Sequence, residues 1–216
     1  MQDNEQKHVA TDEAEADTQV LPKPYVITGP GKMAAEIFEI LEMLASVTIC
    51  VMLCFAFLAR LNIVDGHSMD QTLADRQYLV VSDAFYTPEA GDIVVVHDIT
   101  AHPYDSPIVK RVIATGGQTV EIDFTTWTLR VDGEVVEEPY RYLDPTLPLL
   151  TANYNLDTNG IFSLTVPEGE IFVMGDNRNG SGDSRQYALG TIDERCVVGR
   201  AYFRIFPLDS FGRLWE

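Results

Sequence analysis

Lysine is scarce in this chain. Beyond Lys32 the one lysine is Lys110, although eleven arginines lie between Arg60 and Arg213. Arginine stays charged in any protein setting, whereas lysine can be desolvated and lose its proton. A domain that draws all its other positive charge from arginine has kept a lysine inside Ile108-Val109-Lys110-Arg111-Val112-Ile113. A buried, neutral lysine can act as a general base. Basic charge as a whole is also short, with 15 Lys and Arg against 33 Asp and Glu and a net charge of -18. That balance excludes nucleic acid as the expected partner, since phosphates call for basic patches. An acidic surface reads as a solubility feature.

Three cysteines set no disulfide framework. Cys50 and Cys54 stand one helical turn apart in an apolar run and read as packing residues; Cys196 stands alone. No CxxC or HExxH occurs. His97 and His102 fit no ligand spacing and read as surface or strand residues, so neither metal nor cofactor is expected.

Long apolar runs are absent but for one. Met43 to Ala59 is 17 residues without a charge, and Ile37, Phe38, Ile40 and Leu41 extend it, so residues 37–60 are expected to form a transmembrane helix. Glu39 and Glu42 fall near its interface, where charge is tolerated. A cleaved secretory leader does not fit, because the run begins late and follows an acidic segment. A buried core helix would need a helical partner, and no useful helical period follows residue 61. Lys23 and Lys32 before the span and Arg60 and Arg76 after it barely orient it. Residues 1–30 are polar and expected to be disordered.

After Arg60 the signals are β. Residues 78–81 and 92–96 are short β-branched runs bounded by Gly, Pro and Asp. Residues 119–123 alternate. Residues 127–136 read as a hairpin with Asp132-Gly133 at its turn. Residues 171–174, 196–199 and 201–205 complete the strands. The stretch 140–165, with Pro145, Pro148 and Gly160, reads as an irregular surface excursion.

Ser68 lies just beyond the apolar run in Gly66-His67-Ser68-Met69. Gly66 lets backbone approach closely, as a site for a peptide carbonyl needs. His67 is a poor base for it, because neighbours on an extended strand point to opposite faces. Serine and lysine without a fitting histidine suggest a Ser/Lys hydrolase. The segment Gly175–Arg185 packs two arginines, two serines and two acids among turn formers, which suggests a fixed ion-pair network. It lacks the ligands of a calcium loop.

Four segments together resemble bacterial type I signal peptidase, in its Gram-positive-like form. They are Ser68-Met69-Asp70-Gln71-Thr72-Leu73, Gly91-Asp92-Ile93-Val94-Val95, Lys110-Arg111-Val112-Ile113 with Gly116-Gly117 behind it, and Gly175-Asp176-Asn177-Arg178 through Ser181, Asp183, Ser184 and Arg185. Gly199-Arg200-Ala201-Tyr202-Phe203-Arg204 looks like the family's closing strand. The resemblance covers residues 33–216. It implies a mostly β fold, an antiparallel catalytic domain with one N-terminal transmembrane helix. It also implies a single-pass plasma-membrane protein, with residues 1–36 in the cytoplasm and 61–216 as the extracytoplasmic peptidase domain, residues 118–170 forming a small accessory β region. Partners would be preprotein signal peptides and the lipid bilayer.

Carried over by position, the resemblance makes Ser68 the nucleophile and Lys110 the base. Ser181 would orient the lysine, Asp183 and Arg185 would form a supporting ion pair, and Asp176 and Arg178 would be the structural part of the same loop. Met69, Leu73 and Val109 fall where the family lines its substrate pockets. The chain departs from the family at Gln71, which replaces a proline, and at Asp70, expected to raise the pKa of Lys110. Gly66 leaves the Ser68 N–H as the evident oxyanion donor. A self-cleaving Ser/Lys protease and a catalytically inactive relative acting as an assembly factor are the rival readings.

Overall fold

The computed structural model describes residues 31–97, 106–144, 146–148, 154, 156–158 and 160–214. The tail 1–30 expected to be disordered, His102 and Pro145 lie outside the described residues. Helix α1 spans Lys32–Phe57. Its stretch Lys32–Phe55 is 24 residues, long and apolar enough to cross a membrane, and none of it is buried. At 1.5 Å per residue it would reach about 36 Å, against a hydrocarbon core of about 30 Å. Cys50 and Cys54 are exposed on it. The packing role expected for them is therefore corrected: α1 turns its apolar side chains outward instead of into a protein core.

The rest is mostly β. Strands β1 (Arg60–Ile63), β2 (Tyr78–Ser82), β3 (Ile93–Val96), β4 (Ile108–Thr115), β9 (Glu170–Met174), β10 (Ile192–Asp193), β11 (Val197–Phe206) and β12 (Gly212–Arg213) form one sheet. Its order is β1-β2-β11-β3-β4-β9-β10, with β12 against β11. Strands β5 (Thr119–Asp123), β6 (Thr128–Val131), β7 (Glu134–Val135) and β8 (Ile161–Thr165) form a second sheet in the order β7-β6-β5-β8. Every pairing between these strands is antiparallel. Asp132 and Gly133 both take positive φ, 53° and 83°, the signature of a type I′ hairpin turn.

The period-2 geometry of a strand explains the core. In β3, Ile93 and Val95 enter one apolar cluster while Val94 and Val96 enter another. In β9, Ile171 and Val173 join the second cluster and Phe172 and Met174 a third. The central strands are thus covered on both faces, which is why they read as unbroken apolar runs. The third cluster joins the sheets, with Val120, Ile122, Leu129 and Phe162 of the second packing against Ile113, Phe172 and Met174 of the first. Each large apolar side chain so buried contributes roughly 2–3 kcal/mol.

Two expectations are corrected. The segments 196–199 and 201–205 are one ten-residue strand, bulged where it meets β2 and β3. Arg200, which breaks its apolar pattern, reaches Asp92 at 3.0 Å. The stretch 140–165 also contains β8, which pairs with β5 along its whole length.

Candidate active site

Lys110 is held in β4 between β3 and β9 and is 3% exposed. Its Nζ donates to Ser68 Oγ at 2.8 Å and to the Val109 carbonyl at 3.1 Å. Burial is the main reason its pKa falls from 10.5 to about 8; the nearby Arg185 lowers it further, while Asp183 and Asp176 partly oppose. A short-range Lys–Ser hydrogen bond, with an amine whose neutral form is made far more accessible by this shift, is what activation of a serine hydroxyl requires.

Ser68 sits in the turn after β1 and faces a cleft of about 350 Å³. One wall is residues 64–68, the other 106–110, with Gly180 and Gly182 between them. Val109 lines the cleft. Met69 and Leu73, expected in the substrate pocket, are fully buried in the core cluster that also holds Val64 and Val109. They shape the cleft through those two residues. His67 turns its Nδ1 to Asp70 Oδ2 at 3.1 Å on the exposed side, away from the Lys–Ser pair. Asp70 is not among the charges that act on Lys110, so the influence expected of it passes to Asp183 and Asp176.

The Gly175–Arg185 loop carries the ion pairs. Asp183 Oδ1 accepts from Arg185 Nε at 2.7 Å and its Oδ2 from Arg185 NH2 at 2.8 Å, both side chains being wholly buried. Burial would raise the Asp183 pKa, but Arg185 and the Gly175 N–H at 3.0 Å hold it below the usual carboxylate range. Arg185 NH2 also donates to the Arg178 carbonyl at 2.6 Å, and the guanidinium lies 5.3 Å from the Tyr154 ring centre. Its Nη1 has no hydrogen-bond partner among the described residues and is left to that aromatic contact. Ser181 is buried, and its hydroxyl turns to the Gly182 carbonyl at 3.5 Å and to Asp183. Among the described residues the hydrogen bonds of the Lys110 amine go to Ser68 and Val109.

Asp176 and Arg178 find their partners far along the chain. Asp176 takes a bidentate contact from Arg111, at 2.9 and 2.7 Å, and a hydroxyl from Thr72 at 2.6 Å. Arg178 is clamped by the Glu138 carboxylate, 2% exposed. The Tyr140 ring lies 3.8 Å beneath the Arg111 guanidinium. Arg111, Glu138 and Tyr140 were not expected at the site. For Arg111 the signal was present, since a second cation inside the apolar 108–113 run needs a buried partner; Glu138 and Tyr140 give no local sign.

Gly175 shows how tightly the parts meet. A Cβ on it would fall 2.4 Å from the Ser68 carbonyl oxygen and 2.3 Å from Ser181 Oγ. The loop backbone therefore presses directly on the turn that carries Ser68.

The site's sequence neighbours agree on its family. A family model described as signal peptidase, peptidase S26, matches residues 37–206. The probable signal peptidase I-1 of Synechocystis sp. is 33% identical over 184 residues, covering 82% of this chain and 86% of its own. Signal peptidase IB of Staphylococcus aureus (strain COL) is 34% identical over 187 residues, 80% of this chain and 93% of its own. A crystal structure of a signal peptidase I from Enterococcus faecalis V583 is 30% identical, covers 53% of this chain and 97% of its own, and superposes with a TM-score of 0.38. Since the family match runs from α1 to the end of β11, the chain belongs to the signal peptidase family, peptidase S26, and within it to the bacterial type I signal peptidases.

Proposed function

We propose that the chain is a membrane-anchored serine endopeptidase that removes N-terminal signal peptides from translocated preproteins with a Ser68/Lys110 dyad. The observation that carries this reading is the 2.8 Å contact from Lys110 Nζ to Ser68 Oγ at a lysine 3% exposed. Neutral Lys110 takes the Ser68 proton as Oγ attacks the scissile carbonyl. The Ser68 N–H, which has no partner among the described residues, holds the oxyanion. The Lys110 ammonium returns the proton to the leaving amine. Lys110 then activates a water that hydrolyses the acyl-serine, freeing the signal peptide. No cofactor enters this sequence.

The start of β4 at residues 108–110 on one wall, and the turn 64–68 on the other, offer backbone groups to a substrate lying between them as an added strand. Val109 borders the pocket for a small side chain before the scissile bond, with Met69 and Leu73 setting its depth from behind. Asp183 and Arg185, with Ser181 beside them, fix the field around Lys110; Asp176 and Arg178 anchor the loop. Helix α1 spans the bilayer, residues 1–36 lie in the cytoplasm, and residues 61–216 work on the outer face, with 118–170 as an accessory β region. The preformed contact between Ser68 and Lys110 favours an active enzyme over an inactive relative.

The test is cleavage of a preprotein with Ala-x-Ala before its scissile bond by the purified full chain in detergent. Wild type releases the mature protein, and Ser68→Ala, Lys110→Ala and Lys110→Arg do not. Turnover near wild type by Ser68→Ala or Lys110→Arg contradicts the dyad. Protease added to intact spheroplasts should digest the C-terminal domain and spare an N-terminal tag; the reverse pattern overturns the orientation.

A further inference from the structure

We infer that Asn177 is a positioning residue that aims the oxyanion donor by holding the His67–Ser68 peptide plane. Asn177 is 1% exposed and contacts the nucleophile's turn twice. Its Nδ2 donates to the His67 carbonyl at 3.0 Å, and its backbone N–H donates to the Ser68 carbonyl at 3.0 Å. The orientation of its amide follows from its other contact. Oδ1 accepts from the Gly180 N–H at 3.2 Å, and a flipped amide would set two acceptors against each other. The fit against Gly180 is close: a Cβ there would fall 2.5 Å from Asn177 Nδ2.

The His67–Ser68 peptide is trans. In a trans peptide the C=O and the following N–H point to opposite sides of the chain. Asn177 draws the His67 carbonyl inward to the buried loop, so the Ser68 N–H in the same plane points outward. His67 and Ser68 both line the cleft, and the outward side is where the scissile carbonyl oxygen of a bound peptide would sit. If the plane turned over, that carbonyl would instead face the developing negative charge. Asn177 is in turn fixed from below. The Tyr142 N–H donates to the Asp176 carbonyl at 2.8 Å, and the Arg178 N–H donates to the Tyr142 carbonyl at 2.9 Å, while Glu138 clamps the Arg178 side chain. The segment 138–142 thus braces the loop on the side away from the cleft.

This inference rests on Ser68 being the nucleophile, and the experiment separates the two. Asn177→Ala deletes the donor. Asn177→Asp keeps the volume and the acceptor for Gly180 but sets a carboxylate oxygen against the His67 carbonyl. The full-length enzyme and both variants are assayed on a preprotein for kcat, KM and the pH at which kcat/KM rises. The expected result is a fall in kcat of about 10²-fold, the scale for loss of an oxyanion donor, with KM within about twofold; in Asn177→Ala, which adds no charge, the ascending pH limb stays in place because the Lys–Ser contact is untouched. The inference is overturned by kcat within about threefold of wild type, by a KM that rises in step, by a pH limb displaced in Asn177→Ala, or by failure of both variants to fold. Cleavage by Ser68→Ala, in contrast, defeats the nucleophile assignment itself.

Discussion

Replacing Lys110 with Met should make the protein more stable and inactive, and the gain should vanish at high pH. The folded state lowers the Lys110 pKa from 10.5 to about 8. Each pKa unit corresponds to about 1.4 kcal/mol, so a protonated Lys110 costs the fold roughly 3 kcal/mol. Between those two values the unfolded chain holds the proton and the folded chain does not, and wild-type stability rises with pH. Lys110 thus adds its full share above about 10.5, and that share is lost as pH falls to about 8. Methionine has a similar length and carries no proton. It also loses the contacts to Ser68 Oγ and the Val109 carbonyl, each worth about 1 kcal/mol. The net gain at pH 7 is then about 1–3 kcal/mol, a rise in Tm of a few degrees for a chain of this size. The assay is thermal unfolding of the full chain in detergent, wild type beside Lys110→Met, at pH 7 and pH 11. At pH 11 the variant should be level with wild type or below it. A variant less stable at pH 7, or a difference identical at both pH values, refutes the argument.

Gly175→Ala should lower kcat about 10²-fold, because its methyl must push the Ser68 carbonyl or Ser181 aside and small displacements at a reacting group have that effect; wild-type kinetics would show that the loop yields freely. Asp70→Asn should leave the pH profile of kcat/KM unmoved, since Asp70 pairs with His67 and does not act on Lys110; a limb moved down would restore the influence expected from sequence. Ser181→Ala should lower kcat by roughly tenfold with KM kept, through loss of its contact with Asp183 and its packing against Gly175; a pure KM effect would put Ser181 in the substrate cleft.

What could be seen in the sequence follows from the range of each interaction. Strands β3, β5 and β9 announced themselves through β-branched runs and alternation, and the β6–β7 turn through Asp132-Gly133. Strand β8 was hidden because Pro145, Pro148 and Gly160 precede it and its own pattern is mixed. Strands β10 and β12, two residues each, are too short for any pattern. At the site, the lone lysine and the serine after the apolar run were legible, and so was the Asp183–Arg185 pair, two residues apart. The partners of Asp176 and Arg178 were not. Arg111 lies 65 residues from Asp176 and Glu138 lies 40 from Arg178, so only the folded β4 and the segment after β7 bring them together. The same distance concealed Asn177, whose two acceptors are 110 and 109 residues earlier.

The dyad is tested most directly by the pH dependence of kcat/KM for the purified full chain on a preprotein. If neutral Lys110 is the base, kcat/KM should rise tenfold per pH unit at low pH and level off above an apparent pKa of about 8. A profile flat from pH 6 to 9, or a limb near the ordinary lysine value of about 10.4, would contradict the assignment of a buried Lys110 as the group that deprotonates Ser68.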